Sequence, residues 1–141
     1  MSQSVTLTLP DKLFAPIERI ARATKQPVES LLLTALQASL PPLDELPAPL
    51  AQELAQLEGL DNDALRAALL ETAPVEKHRE LEALLHRQQA GLLSGAEWAR
   101  LDALQEEADR LMLRKARAAV LLRFRGARVP SPAELRLLAV Q

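Results

Sequence analysis

Polar and apolar residues alternate with period two through Ser4-Val5-Thr6-Leu7-Thr8-Leu9. Successive side chains of a strand point to opposite faces, so this alternation predicts a strand with one wet and one buried side. Pro10-Asp11 ends it, because proline cannot donate to a ladder and suits a helix start. From Asp11 to about Thr24 the period changes. Leu13, Phe14, Ile17, Ile20 and Ala21 recur at helical spacing, while Glu18, Arg19 and Arg22 fall elsewhere on the wheel. Lys25-Gln26-Pro27 interrupts the pattern. A second helix is expected from Pro27 to about Leu40, with Val28, Leu31, Leu32, Ala35 and Leu36 apolar.

Pro41-Pro42 closes that helix, and the proline-rich stretch 41–49 reads as a semi-rigid linker. Helical signals fill the rest, residues 50–141. A short amphipathic piece runs from Leu50 to Leu57 and stops at Gly59. Asp61 is placed to cap a helix reaching about Thr72. Pro74 opens another, striped by Leu81, Leu84 and Leu85 and closed by Gly91. Ser94-Gly95-Ala96-Glu97 has the form of a capping box. It opens the longest helix, from Gly95 to about Arg125, with Trp98, Leu101, Leu104, Ala108, Leu111 and Met112 expected inward. Together these last two helices predict a long antiparallel hairpin held by leucines. A second box, Ser131 to Glu134, opens a terminal helix carrying Leu135, Leu137 and Leu138.

A lone six-residue strand raises a physical problem: its backbone donors and acceptors need a partner, and no second strand pattern exists in the chain. The same strand of another copy is the simplest partner. Strand, helix of about a dozen residues, break and second helix is a layout that resembles the ribbon-helix-helix family of Arc- and MetJ-type DNA-binding regulators. The stretch Val5 to Leu40 carries the resemblance, under a third of the chain. The fold expected is therefore mainly α: an N-terminal ribbon-helix-helix module (residues 1–40, one strand and two helices, dimeric), the linker 41–49, and a helical region over 50–141.

The resemblance implies a homodimer joined through the N-terminal strand and double-stranded DNA as its ligand. Ser4, Thr6 and Thr8 would face base edges, and Val28, Glu29 and Ser30 would set backbone N–H groups against a phosphate. Regulators of this kind that serve as antitoxins hold a toxin with the segment after the module, which offers a second partner. The alternative is a protein-protein adaptor that uses the ribbon only to dimerise and the hairpin to bind.

Charge sharpens these alternatives. The net charge is −2, but it is unevenly spread. Residues 41–110 hold six basic against fifteen acidic side chains, and residues 111–141 hold seven against one. The acidic middle suits a basic protein surface. The basic run, with Arg114, Lys115, Arg117, Arg123 and Arg125, is a candidate for secondary nucleic-acid or partner contacts, or for an internal match to the acids before it.

Composition bounds the rest. Aromatics are 2% and cysteine is absent, so the core is leucine and alanine and there is no thiol chemistry. His78 and His86 are eight residues apart, too far for a helical metal pair, and no third ligand converges on them. No phosphate loop, serine elbow or paired carboxylates occur. The expectation is a non-enzyme without cofactor or metal. With no signal peptide and no ~20-residue apolar span, a cytoplasmic location is expected.

Overall fold

The computed structural model describes residues 2–139, with side chains to Leu137. Seven α-helices and one 3₁₀ turn occur among them: α1 (Asp11–Thr24), α2 (Val28–Ser39), α3 (Ala48–Gln56), the turn Leu57–Gly59, α4 (Asn62–Leu70), α5 (Val75–Gln89), α6 (Gly95–Phe124) and α7 (Pro132–Ala139). The chain divides into two compact units, residues 1–41 and 42–141.

The N-terminal strand is not there. Residues 2–10 have no regular secondary structure, and no strand occurs among the described residues. The mainly α expectation holds, but the ribbon-helix-helix description of the fold does not. Period two fixes which side chains would share a face. It does not supply the second strand whose N–H and C=O groups would complete the ladder. Val5 and Leu7, apolar members of the side expected to be buried, are exposed.

In the first unit α1 and α2 pack together across a tight break. Lys25 closes α1 in the left-handed conformation, φ 55°, and the Gln26 N–H reaches the Ala21 carbonyl at 3.0 Å. Pro16 sits inside α1, where it has no N–H to donate to the Lys12 carbonyl. Packing is thin. Ala21 is the one buried apolar side chain among this unit's described residues, while Leu13 is 56%, Ile20 52%, Leu33 61% and Leu36 56% exposed.

The second unit is built along α6, 30 residues and so about 45 Å long. A helix of that length needs more than one cover, and it has them. Along its first half α5 lies antiparallel, with Leu84, Leu101 and Leu104 buried and Leu81, Leu85 and Leu93 packed around them. Its second half buries Ala118, Leu121 and Leu122; α3, the 3₁₀ turn and α4 pack on α6 and bury Leu54, Leu57, Leu65, Ala68 and Leu69. Two residues of the expected inward stripe face out: Trp98 is 45% and Met112 67% exposed. The buried set moves to Arg117, Ala118, Leu121 and Leu122 because a different layer covers that half.

Local signals place the helix ends. Asp61 Oδ1 accepts from the Ala64 N–H at 2.8 Å. Ser94 Oγ accepts from the Glu97 N–H and Glu97 Oε1 from the Ser94 N–H, both at 3.2 Å, completing the capping box. Gly91, at φ 73°, closes α5 in a conformation few side chains tolerate. At Ser131 the Oγ accepts from the Glu134 N–H at 3.2 Å, while the Glu134 carboxylate turns to Arg128 at 2.8 Å. The Leu138 side chain of that last stripe lies outside the described residues. α3 begins two residues before the expected Leu50 and takes Pro49 into its first turn, where a missing N–H costs nothing.

Candidate functional site

Ser4, Thr6 and Thr8 are exposed in the irregular segment ahead of α1. Their hydroxyls are offered to solvent, but no regular element sets their spacing. Val28, Glu29 and Ser30 form the first turn of α2, after Pro27. The turn has no side-chain cap; the Ser30 N–H donates to the Pro27 carbonyl at 3.2 Å, which leaves those of Val28 and Glu29 open to an anion. Glu29, exposed in the same turn, opposes an anion by charge. The two residue groups belong to one unit, and both are accessible.

The basic run has a different placement. Arg117 is 7% exposed and pairs with Glu58 at 3.3 Å. Arg125 donates to the carbonyl oxygens of Leu60 at 2.6 Å and Glu58 at 2.8 Å, and to Asn62 Oδ1 at 3.2 Å. Arg114 stands between Glu53 at 3.5 Å and Glu71 at 3.7 Å. Arg114 and Arg117 answer acids of α3, the 3₁₀ turn and the end of α4 rather than those just ahead of them on α6, and Arg125 takes backbone carbonyls and an amide oxygen. Lys115 and Arg123 have no ion-pair partner among the described residues; Lys115 is half-buried and Arg123 exposed.

A second set of ion pairs closes the α5–α6 hairpin. Lys77 meets Glu107 at 2.7 Å, Glu80 takes two bonds from Arg100 at 2.6 and 3.0 Å, and Arg87 pairs with Glu97. The descending partners confirm the antiparallel register. Donation from Arg100 holds the Glu80 carboxyl below the ordinary 4.5, and Lys77 does the same for Glu107. Glu97 is lowered chiefly by the Ser94 backbone N–H.

The chain matches no known protein family, curated protein or solved structure.

Its function therefore rests on its own geometry, which offers two features beyond the residues expected from sequence. One is the apolar surface of the first unit. Leu13, Phe14, Ile20, Leu33 and Leu36 are exposed on two helices of a 41-residue unit with almost no interior. Residues such as Leu13, Ile20 and Leu36 were legible as the helices' apolar faces; that they find no cover was not. The other is a cleft of about 420 Å³ in the second unit, between α3, the α4–α5 connection, α5 and α6. Leu81, Leu104, Ala108 and Leu111 line its floor, and Arg110 and Arg114 stand on its wall. No local motif announces it, because it is made where four segments meet.

Among the described residues no group of three or more His, Cys, Asp or Glu side chains could hold a metal ion, and His78 instead lies 3.1 Å from Glu82. No helix among them is long and apolar enough to cross a membrane.

Proposed function

We propose that this protein is a self-associating regulator: two copies join through their first units, the joined units contact DNA, and the helical second unit engages a protein partner as an antitoxin does its toxin. One observation carries the reading. A unit of about forty residues with one buried side chain cannot hold its own fold, since domains this small need an external staple or an oligomeric partner. Its exposed leucines and isoleucines supply that need. Leu13, Ile20, Leu33 and Leu36, with Val5, Leu7 and Phe14, are each more than a third exposed, apolar surface of the kind an interface covers.

A second copy is the cover that fits best. It is present wherever the chain is made, and the unit's near balance of four basic and three acidic side chains presents no strong repulsion to its own kind. DNA contact is supported by the exposed hydroxyls of Ser4, Thr6 and Thr8, by the uncapped first turn of α2, and by the helix-break-helix of Asp11 to Ser39, the part of the layout shared with DNA-binding regulators that is present. The adaptor reading, with association but no DNA, is favoured by Glu29 and by the internal pairing of Arg114, Arg117 and Arg125.

The two separate cleanly by titration onto a duplex from upstream of the protein's own gene, at low and near-physiological salt, with a scrambled duplex beside it. A regulator binds its own duplex in both salts and weakens when Thr6 becomes Ala. Equal, salt-sensitive binding to both duplexes, unaffected by Thr6→Ala, would transfer the contact to the exposed cations of the second unit. No binding to either duplex by a self-associated protein would leave the adaptor.

A further inference from the structure

The arginines of α6 are not equally engaged. Arg100 gives Glu80 two bonds at 2.6 and 3.0 Å, and Arg125 makes three between 2.6 and 3.2 Å. Arg110 and Arg114 face the cleft and do neither. Arg110 Nε is 3.5 Å from Glu53, Arg114 Nη1 is 3.5 Å from the same carboxylate, and Arg114 Nε is 3.7 Å from Glu71. Charge-assisted bonds of this type run to about 2.7–2.9 Å, so both guanidinia are neutralised at a distance while most of their ten N–H donors stay unfilled.

Chemistry beside them is of the opposite kind. Leu104 is buried at the cleft floor, Leu81, Ala108 and Leu111 are half-buried around it, and the cavity volume, about 420 Å³, lies in the range of small-molecule sites. Two under-used planar donors next to a leucine floor form the two ends of one recognition surface. We infer that this cleft is a binding site for a small amphipathic carboxylate, its anionic end held by Arg110 and Arg114 and its aliphatic body laid on Leu81, Leu104, Ala108 and Leu111.

A neutral amphiphile gains only the floor. A cation can reach Glu53, Glu71 and Glu107 of the same lining but leaves the guanidinium donors unfilled. A carboxylate gains both ends, because its oxygens can approach the guanidinia to bonding distance where Glu53 does not. Bound there, the ligand bridges α6 to α5 through Leu81. The proposal does not depend on DNA contact or on self-association.

Titration calorimetry of the full chain with octanoate tests it, with octanol and octylammonium as neutral and cationic matches. Octanoate should bind one site per chain saturably, about tenfold or more tighter than octanol, with an affinity that falls as salt rises. Arg110→Gln should weaken octanoate by about tenfold and leave octanol unchanged, since it removes one charged bond. Arg110 is exposed and its ion pair with Glu53 spans 3.5 Å, so the thermal melt of that variant should stay close to the wild-type position. Ala108→Phe, which fills the floor and keeps both guanidinia, should abolish binding of both ligands. Octanol or octylammonium equal to octanoate, octanoate binding untouched by Arg110→Gln, or no saturable heat into the millimolar range would each overturn the assignment.

Discussion

Arg125, at the C-terminal end of α6, donates to the backbone carbonyl of Leu60 at 2.6 Å, across 65 residues of sequence. The same guanidinium takes the Glu58 carbonyl and the Asn62 side chain. One side chain thus ties the loop between the 3₁₀ turn and α4 to the end of the long helix, and satisfies carbonyls that no helix uses. A basic residue that reads as a phosphate contact in sequence acts here as a clamp.

Arg125→Ala should therefore lower the stability of the second unit by about 1–2 kcal/mol, the scale of charged hydrogen bonds at a partly open site. Arg123→Ala, two residues earlier and exposed with no ion-pair partner among the described residues, should stay within about 0.5 kcal/mol of wild type. Chemical denaturation of the two variants checks the difference. Equal losses would mean that the two arginines share a role.

Acid should loosen the α5–α6 hairpin. Glu80, Glu97 and Glu107 all hold their protons less tightly in the folded chain than at the ordinary 4.5. Their contribution is complete above 4.5, where they are ionised in both states, and is lost as the pH falls through their lower folded values. The melting temperature should hold from neutrality down to about pH 5 and decline below 4.5. Glu80→Gln should lower the neutral value and flatten the decline. A melting temperature that rises on acidification would contradict the assignment of these pairs.

Leu101 and Trp98 are neighbours three residues apart on α6, yet one is 1% exposed and the other 45%. Leu101→Ala should cost about 2–5 kcal/mol, the range for emptying a leucine site in a packed core. Trp98→Ala, although it removes the larger side chain, should cost about 1 kcal/mol or less. The comparison by denaturant titration decides which face of the helix is inward.

Much of this was legible in the chain, and the boundary is physical. Asp61, Gly91, Ser94 and Glu97 act on neighbours within a few residues, so their caps and turns could be read directly. The leucines at 81, 84, 101 and 104 fix a hairpin because two helices joined by a short turn have little choice of partner. What failed was non-local. The alternation at 4–9 specifies faces but not a second strand. Trp98 and Met112 share the spacing of Leu101 and Leu104, and only the layer covering each half of α6 decides which are buried. The arginines at 114, 117 and 125 looked like one basic face because the carboxylates that meet the first two and the carbonyls that meet the third lie about forty residues or more away. Nor does any run of residues mark the cleft.

The central claim is that the first unit is completed by a second copy. Sedimentation equilibrium of the full chain over a wide concentration range, beside a Leu33→Glu, Leu36→Glu double variant, tests it most directly. The account predicts a two-copy species for the wild type. It predicts that the variant sediments as one copy and loses helical circular dichroism corresponding to α1 and α2, while the second unit's melt is kept. A wild type that stays single at high concentration with α1 and α2 fully helical would contradict it.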